Sequence, residues 1–217
     1  MTTRPGLVIK RATDVAVSIA GLALLLVPFA GIALAIKLDD GGPVFFRQER
    51  AGRDGRPFRV WKFRTMIAGA IRQGPGVTVA RGDTRITGVG RFLRSFGLDE
   101  LPQLLNVLTG EMSLVGPRPT FLYQVERYDA VQKRRLLVKP GITSLAVVSG
   151  RNALSWAERI KLDVWYVEHW SFWLDFRILL ATLWVVLVTR KGVYADDGAN
   201  DLFVPPSEGK ESHGQGS

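Results

Sequence analysis

The 217-residue chain contains no cysteine and only two histidines, His169 and His213. The absence of cysteine excludes disulfides, thiolate metal sites and a cysteine nucleophile. His169 lies among aromatic residues, which is typical of a structural histidine, and His213 lies in a polar stretch near the C-terminus. No GxGxxG fingerprint and no P-loop motif occurs. Polar chemistry is therefore left to carboxylates, arginines and lysines.

Acidic residues are outnumbered, since the chain has 20 of them and 29 lysines and arginines, which gives a formal net charge of +9. Such an excess favours an anionic partner, which can be a nucleic acid, a phosphate or an anionic membrane surface. The mean hydropathy is nevertheless positive at +0.10, because apolar residues concentrate towards the two ends. The combination indicates a protein of the membrane surface.

The N-terminal apolar segment, residues 15–36, carries no charge but is interrupted by Pro28. A straight helix over it would measure roughly 33 Å, enough to cross a hydrocarbon core of about 30 Å. A cleaved signal peptide, a straight transmembrane helix and a re-entrant helix broken at Pro28 are the alternatives. Cations flank both ends and favour keeping both in the cytoplasm, which a re-entrant helix satisfies. They are Lys10, Arg11, Lys37, Arg47, Arg50 and Arg53.

The predicted fold class is α+β and predominantly helical. Residues 1–40 are expected to form the re-entrant membrane helix, residues 41–192 the catalytic domain, and residues 193–217 a flexible tail. Aromatic and β-branched runs on either side of Asp54-Gly55 predict a small β-hairpin. Ser155 and Glu158 have capping-box spacing and predict a helix start. This helix and the apolar one after it are expected to be amphipathic and to lie at the interface around a cytoplasmic active site. For the apolar helix, a plain core helix is the alternative.

Two adjacent carboxylates, Asp99 and Glu100, precede a short apolar run in the middle of the chain. If Asp99 lies near an N-cap, Pro102 falls in the first helical turn, where its missing N–H does no harm. Capping alone would explain Asp99, but it gives no reason for Glu100 beside it or for so many nearby cations. A carboxylate can act as a nucleophile toward phosphorus, and arginines can clamp phosphate oxygens. The pair is therefore a candidate catalytic dyad.

A series of short motifs runs in a fixed order through most of the chain, and the ordered set is specific although each motif alone is weak. The set resembles the bacterial sugar transferases known as monotopic phosphoglycosyl transferases in their short form, and especially the bacillosamine-type enzymes. The motifs are Lys10-Arg11 with Asp14, Gly42-Pro43-Val44-Phe45-Phe46-Arg47-Gln48, Lys62-Phe63-Arg64-Thr65-Met66, Leu98-Asp99-Glu100-Leu101-Pro102-Gln103, Met112-Ser113-Leu114-Val115-Gly116-Pro117-Arg118-Pro119, Lys139-Pro140-Gly141-Ile142-Thr143 and Leu162-Asp163-Val164-Trp165-Tyr166-Val167.

The resemblance implies a two-step reaction at the cytoplasmic face of the bacterial inner membrane. Asp99 would attack a UDP-sugar, release UMP and hold the sugar phosphate covalently until polyprenol (undecaprenyl) phosphate accepts it. Glu100 would assist as a metal ligand or a proton acceptor, with Mg²⁺ bound by Asp99 and Glu100. Lys62, Arg94 and Arg118 are the expected phosphate contacts. UDP-sugar, polyprenol phosphate and membrane lipid are the expected partners, and nucleic acid is not.

The chain departs from the family pattern at several positions, and three of these changes remove an amide or a hydroxyl side chain that the family often has. Family members often have amide side chains where this chain has Val147 and Ser149, and a serine where it has Val27 before Pro28. Two alternatives to catalysis therefore stay open. One is a membrane-anchored binding protein whose basic face holds anionic lipid or nucleic acid, and the other is a catalytically weak or inactive family member.

Overall fold

The computed structural model describes residues 4–70, 82–150 and 153–186. Over these ranges the chain is mostly helical and contains one antiparallel and one parallel two-stranded sheet, which confirms the predicted α+β class. The expected C-terminal tail lies outside the described residues.

The first two helices, α1 (Arg4–Leu24) and α2 (Leu26–Asp40), are bent by 60° with respect to each other. Pro28 lies in the first turn of α2, where it has no N–H and its ring would collide with the carbonyl of Leu24 in a continuous helix. The bend therefore falls at Leu25, three residues before the proline. No single helix in the described ranges is long and apolar enough to cross a bilayer, although the bent pair taken together is.

The predicted hairpin is confirmed. Strands β1 (Phe45–Ala51) and β2 (Pro57–Phe63) pair antiparallel, with Phe45 opposite Phe63 at the open end. Asp54 in the connecting turn has φ 57°, and Gly55 has φ 75°. Asp and Gly are the residue types that tolerate this left-handed region best, so the turn chemistry fixes the register.

Short elements connected by tight turns make up the rest of the described chain. Ser155 and Glu158 form the predicted capping box, since the hydroxyl of Ser155 accepts the N–H of Glu158 at 3.3 Å and the carboxylate of Glu158 accepts the N–H of Ser155 at 2.8 Å. The elements are α3 (Gly88–Ser95), a 3-10 helix (Leu98–Gln103), α4 (Leu104–Thr109), β3 (Ser113–Val115), α5 (Leu122–Glu126), a second 3-10 helix (Gln132–Leu137), β4 (Gly141–Thr143), α6 (Leu145–Ser149), α7 (Trp156–Glu168) and α8 (Phe172–Trp184).

Polar contacts dock α1 onto the rest of the protein. The ammonium of Lys10 lies 2.5 Å from the carboxylate of Asp175 in α8. Arg11 donates to two carbonyl oxygens at the end of α4, at 2.6 and 2.9 Å. The buried Asp14 accepts the N–H of Leu114 in β3 at 3.1 Å. The motif of Lys10, Arg11 and Asp14 is thus a docking device for the first helix.

The largest hydrophobic cluster lies between the hairpin and the C-terminal helices. It joins β2, α4, β3, α7 and α8, and residues of α1 pack on its margin. Its buried members are Phe58, Val60, Leu104, Val107, Met112, Leu114, Val115, Tyr166 and Ile178.

Candidate active site

The two adjacent carboxylates lie in the first turn of the 3-10 helix that precedes α4. The N-cap position is held by Gly97, with φ 66°, which only glycine adopts readily. Asp99 therefore lies near an N-cap, two residues after it, but the helix that begins here is a 3-10 helix and not an α-helix. Pro102 accounts for the difference, because it has no N–H to complete an α-type bond across this turn.

Glu100 is held by two of the predicted phosphate-binding cations. Lys62, at the end of β2, donates to Oε1 of Glu100 at 2.6 Å. Arg118 donates to Oε1 at 2.5 Å and to Oε2 at 3.1 Å, which is a two-pronged contact. The Glu100 side chain is only 18% exposed. Both of its oxygens are therefore occupied, and the structure brings these three predicted site residues into direct contact.

Asp99 differs from its neighbour in having no hydrogen-bond partner within the described part of the chain. Burial, and then the negative charge of Glu100, raise the pKa of Asp99, and nearby cations oppose this only in part. Burial also acts to raise the pKa of Glu100, but Arg118 and Lys62 outweigh it and lower that pKa well below the usual range. Glu100 is thus stabilised as an anion by two cations, whereas the carboxylate of Asp99 has no hydrogen-bond partner in the described chain and a raised pKa.

Arg94, the third predicted phosphate contact, reaches the site from α3. Its Nε donates to the hydroxyl of Thr65 at 2.8 Å. Its charge also opposes the rise in the pKa of Asp99. Arg94 therefore adds positive charge beside Asp99 without contacting Glu100.

A cleft of about 920 Å³ opens beside these residues, within the range for small-molecule sites. Lys62, Arg94, Asp99, Glu100 and Arg118 all line it, so every residue predicted to act on substrate falls on one cavity. Residues of β1, of the segment that follows β2, and of α6, α7 and α8 form its other walls. Pro28 is not among the lining residues and acts only on the course of the first two helices.

The backbone that carries Arg118 is fixed by the parallel pairing of β3 with β4. Gly141 donates its N–H to the carbonyl of Pro117 at 2.9 Å, and Gly116 donates to Thr143 at 3.0 Å. A Cβ on Gly141 would lie 2.1 Å from the backbone nitrogen of Gly116. Glycine is therefore required here by the close approach of two backbones, and the approach holds Arg118 opposite the dyad.

A buried ion pair, which the sequence reasoning did not single out, supports the same backbone. Arg135 pairs with Asp163 of α7, and each side chain is 2% exposed. Arg135 also donates to the carbonyl of Arg118 at 3.1 Å. A signal for Asp163 was present, since it falls between Ile160 and Val164 on the apolar stripe of α7. The sequence contains no such signal for Arg135, because this residue ends an ordinary run of basic residues.

The two departures from the family pattern in α6 have different surroundings. Val147 lines the cleft, whereas Ser149 is exposed and is not among the lining residues. Only the change at Val147 therefore bears on the shape of the site.

The donor set for a divalent cation is small. Within the described ranges, no three side chains of His, Cys, Asp or Glu cluster closely enough to hold a metal. Asp99 has free oxygens, and Glu100 has both of its oxygens engaged by cations. This set fits Mg²⁺ in its usual nucleotide sites, where one or two carboxylates and the substrate phosphates share the ion with water.

Comparison with known proteins gives one family. The model of the bacterial sugar transferase family matches residues 6–189. The uncharacterized sugar transferase EpsL of Bacillus subtilis is 44% identical over 184 residues, which cover 85% of this chain and 90% of EpsL. The UDP-glucose:undecaprenyl-phosphate glucose-1-phosphate transferase of Escherichia coli is 42% identical over 84% of this chain. The undecaprenyl-phosphate galactose phosphotransferase of Salmonella typhimurium is 41% identical over 86%.

This chain spans 41% of the length of the Escherichia coli transferase and 42% of that of the Salmonella transferase. Its match to EpsL is nearly end to end. The matches confirm the resemblance drawn from the order of the motifs.

Proposed function

The chain belongs to the bacterial sugar transferase family, and from this premise we propose that it transfers a sugar phosphate from a UDP-sugar to polyprenol phosphate. UMP and a polyprenol-diphosphate sugar would be the products, in the first membrane step of polysaccharide or other glycoconjugate synthesis. The observation that carries the proposal is the contrast within the dyad, where Glu100 is fixed between cations and Asp99 is left without a hydrogen-bond partner in the described chain.

Phosphate binding falls to the three cations around the dyad. Arg118 and Lys62 are positioned by Glu100, and Arg94 is positioned by Thr65. Three cations around two carboxylates leave the site with net positive charge, which suits a diphosphate. An arginine fork binds two phosphate oxygens at once, whereas a lysine acts as a point charge.

In the first step, an oxygen of Asp99 attacks the phosphorus that carries the sugar. A P–O bond to the carboxylate forms, the phosphoanhydride bond breaks, and its electron pair leaves with UMP. The carboxylate must be ionised to attack. Desolvation keeps it reactive because no direct hydrogen bond weakens its lone pairs.

In the second step, an oxygen of polyprenol phosphate attacks the same phosphorus and Asp99 leaves as a carboxylate. The acceptor phosphate is already an anion, so no general base is required. Glu100 then serves to position Lys62 and Arg118 and to keep them from neutralising Asp99. This role fits the full occupation of its oxygens better than that of a base or a metal ligand.

Mg²⁺ is proposed as the cofactor, held by Asp99 together with substrate phosphate oxygens, where it would offset charge on the diphosphate. Among the ligands expected from the sequence, Asp99 is favoured over Glu100 on the donor geometry.

The membrane placement is proposed from exposed apolar surface on α1, α2 and α8. Leu24 and Val27 at the bend are each 80% exposed, and Trp173 and Trp184 of α8 are 65% and 62% exposed. A re-entrant α1–α2 would bury the bend in one leaflet and leave both ends at the cytoplasmic face of the inner membrane.

The test of the reaction uses the purified chain in nanodiscs with Mg²⁺ and a panel of UDP-sugars. With the matching sugar alone, we expect about one UMP per protein molecule and a phosphosugar adduct on the peptide that contains Asp99. With undecaprenyl phosphate added, turnover should begin. UMP release that requires the acceptor and leaves no adduct would contradict the covalent step, and silence with every sugar would favour the inactive binding protein.

The absence of cysteine makes the topology directly testable. Single cysteines at Val8 and Leu38, which are 69% and 78% exposed, can be labelled in intact cells with a membrane-impermeant maleimide. We expect neither to react until the cells are opened. Reaction of either one from outside would rule out the re-entrant arrangement.

A further inference from the structure

One wall of the cleft contains three buried polar atoms that have no hydrogen-bond partner in the described chain. They are Nε of Arg135, Oδ1 of Asp163 and Nε1 of Trp156. All three residues line the cleft. An unpaired buried polar atom is costly, because it has lost water and gained nothing in return. A cluster of three on one cavity therefore points to a ligand that supplies the missing bonds.

The side chains that carry these atoms are held in place by their other contacts. The ion pair of Arg135 with Asp163 uses Oδ2 of the carboxylate and leaves Oδ1 free. Arg135 also donates to the hydroxyl of Tyr128 at 2.6 Å. The guanidinium of Arg135 lies 5.4 Å from the centre of the Trp156 ring. The three atoms are thus two donors and one acceptor, carried by side chains that contact one another.

This set adjoins the phosphate-binding end of the cleft. Arg135 donates to the backbone carbonyl of Arg118, whose guanidinium holds Glu100. A ligand whose phosphates lie between Arg118 and Arg94 can therefore extend toward Arg135 and Asp163. The portion of a nucleotide next to its phosphates is the nucleoside, and its base is the group with a fixed pattern of donors and acceptors.

We propose that Arg135, Asp163 and Trp156 form a nucleobase subsite and that it takes uracil. The pairing edge of uracil offers acceptor, donor and acceptor in its O4, N3–H and O2. This pattern complements donor, acceptor and donor from Arg135, Asp163 and Trp156. The three atoms are buried in the unliganded chain, so the side chains that cover them move aside when the base binds. The inference rests on the proposed use of a UDP-sugar and assigns the residues that select its base.

Cytosine is the informative alternative, because it has the same size and the same O2. Its N3 is an acceptor and would face the carboxylate oxygen of Asp163, and its amino group would face a donor. A site built around a substrate N–H rejects an analogue that lacks it. The subsite therefore discriminates between two pyrimidines by two mismatched hydrogen bonds.

The test measures binding of UDP, CDP and inorganic pyrophosphate to the full chain in nanodiscs by calorimetry, without sugar or acceptor. We expect UDP to bind about 10- to 100-fold more tightly than CDP. In Asp163→Asn, the amide oxygen can still face Arg135 while its NH₂ replaces the acceptor. The preference for UDP should then disappear or reverse toward CDP, and pyrophosphate binding should stay within about twofold.

Trp156→Phe provides a second variant that keeps the ring over the arginine and removes only the N–H donor. It should weaken UDP binding about 5- to 10-fold without affecting pyrophosphate. Trp165→Phe, on the exposed face of the same helix, is the matched control and should change neither. If Asp163→Asn fails to fold, as seen by loss of its thermal transition, Trp156→Phe decides the question.

Two results would overturn the subsite. One is equal binding of UDP and CDP to the unmodified chain. The other is a parallel loss of UDP and pyrophosphate binding in the variants, which would mean that the pair only supports Arg118. Uracil preference without turnover would contradict the proposed reaction alone, and turnover without uracil preference would contradict the subsite alone.

Discussion

The α1 docking contacts and the dyad cleft both combine carboxylates with cations, but the carboxylates have different surroundings in the two regions. At α1, Lys10 meets Asp175, and that carboxylate also accepts bonds from Tyr166 at 2.6 Å and Trp170 at 3.0 Å. Both oxygens of Asp175 therefore have a donor. In the cleft, Glu100 is equally well paired, but its neighbour Asp99 accepts no hydrogen bond in the described chain.

The difference separates a structural charge from a reactive one. A carboxylate surrounded by donors is stabilised as an anion and loses nucleophilicity, whereas a desolvated carboxylate without donors keeps it. Proximity to cations does not decide the matter, since both regions have them. What distinguishes Asp99 is that its cations are bound to Glu100 or Thr65. The following experiments test this comparison, from the largest expected effect to the smallest.

Asp99→Asn should remove the reactive charge and leave the cleft intact. We expect sugar-phosphate transfer to fall by at least about 10³-fold, with no covalent adduct in the mass spectrum, because the amide cannot act as the nucleophile. Asp54→Asn in the exposed hairpin turn is the matched control, since asparagine also tolerates its φ of 57°. Retained turnover in Asp99→Asn would show that another group attacks phosphorus.

Lys10→Met should affect stability and spare the chemistry. The variant leaves the buried Asp175 without its cation, which costs about 3 kcal/mol. Urea unfolding followed by tryptophan fluorescence should show this loss, while kcat per folded molecule stays within about threefold. Lys37→Met is the control, because the Lys37 ammonium is exposed and its one hydrogen bond within the described ranges goes to a carbonyl at 3.4 Å. A collapse of kcat in the folded fraction would mean that the docking contacts also shape the cleft.

Arg118→Lys keeps the positive charge at this position and removes the guanidinium that makes the bidentate contact with Glu100. Lysine cannot contact both oxygens of Glu100 and a phosphate in one plane, so kcat/KM should fall about 10- to 30-fold. Initial rates with the matching UDP-sugar measure the effect. Arg56→Lys, an exposed change, should have none. An unaltered rate in Arg118→Lys would show that positive charge suffices and that bidentate geometry does not matter.

The pH dependence should report the opposite pKa shifts of the two carboxylates. Since burial and Glu100 raise the pKa of Asp99, kcat/KM should fall on acidification at a pH above the ordinary range of aspartate. The lowered pKa of Glu100 keeps that side chain charged throughout. Glu100→Gln removes the second cause of the shift, so the acid limb should move to lower pH. If kcat/KM falls at the same pH in both proteins, the acid limb does not report the titration of Asp99.

Local chemistry explains the parts of the fold that the sequence predicted well. Asp54-Gly55 fits the left-handed turn that closes the hairpin, and Ser155 with Glu158 forms a capping box within one helical turn. Both signals act between residues a few positions apart. Asp99 and Glu100 were predicted as a dyad because two adjacent carboxylates lie among many cations, and Lys62, Arg94 and Arg118 were expected from the family resemblance. The structure brings all five to one cleft.

The misses have physical reasons as well. Pro102 lies close to the dyad, and its missing N–H favours a 3-10 helix at this helix start, a distinction that the sequence signals did not make. β3 and β4 have three residues each, too few for any alternation to show. The pairing of Arg135 with Asp163 joins positions 28 residues apart, and neither helical nor strand periodicity reports such a contact.

The long-range contacts of α1 also bear on the order in which parts of the protein can fold. Its contacts with Leu114 and Asp175 join residues 100 and 165 positions apart. The helix is synthesised before both of these residues, and Asp175 is made only when α8 emerges from the ribosome. Contacts of such high sequence separation close late in folding. The docking of α1 is therefore completed only after α8 has been synthesised.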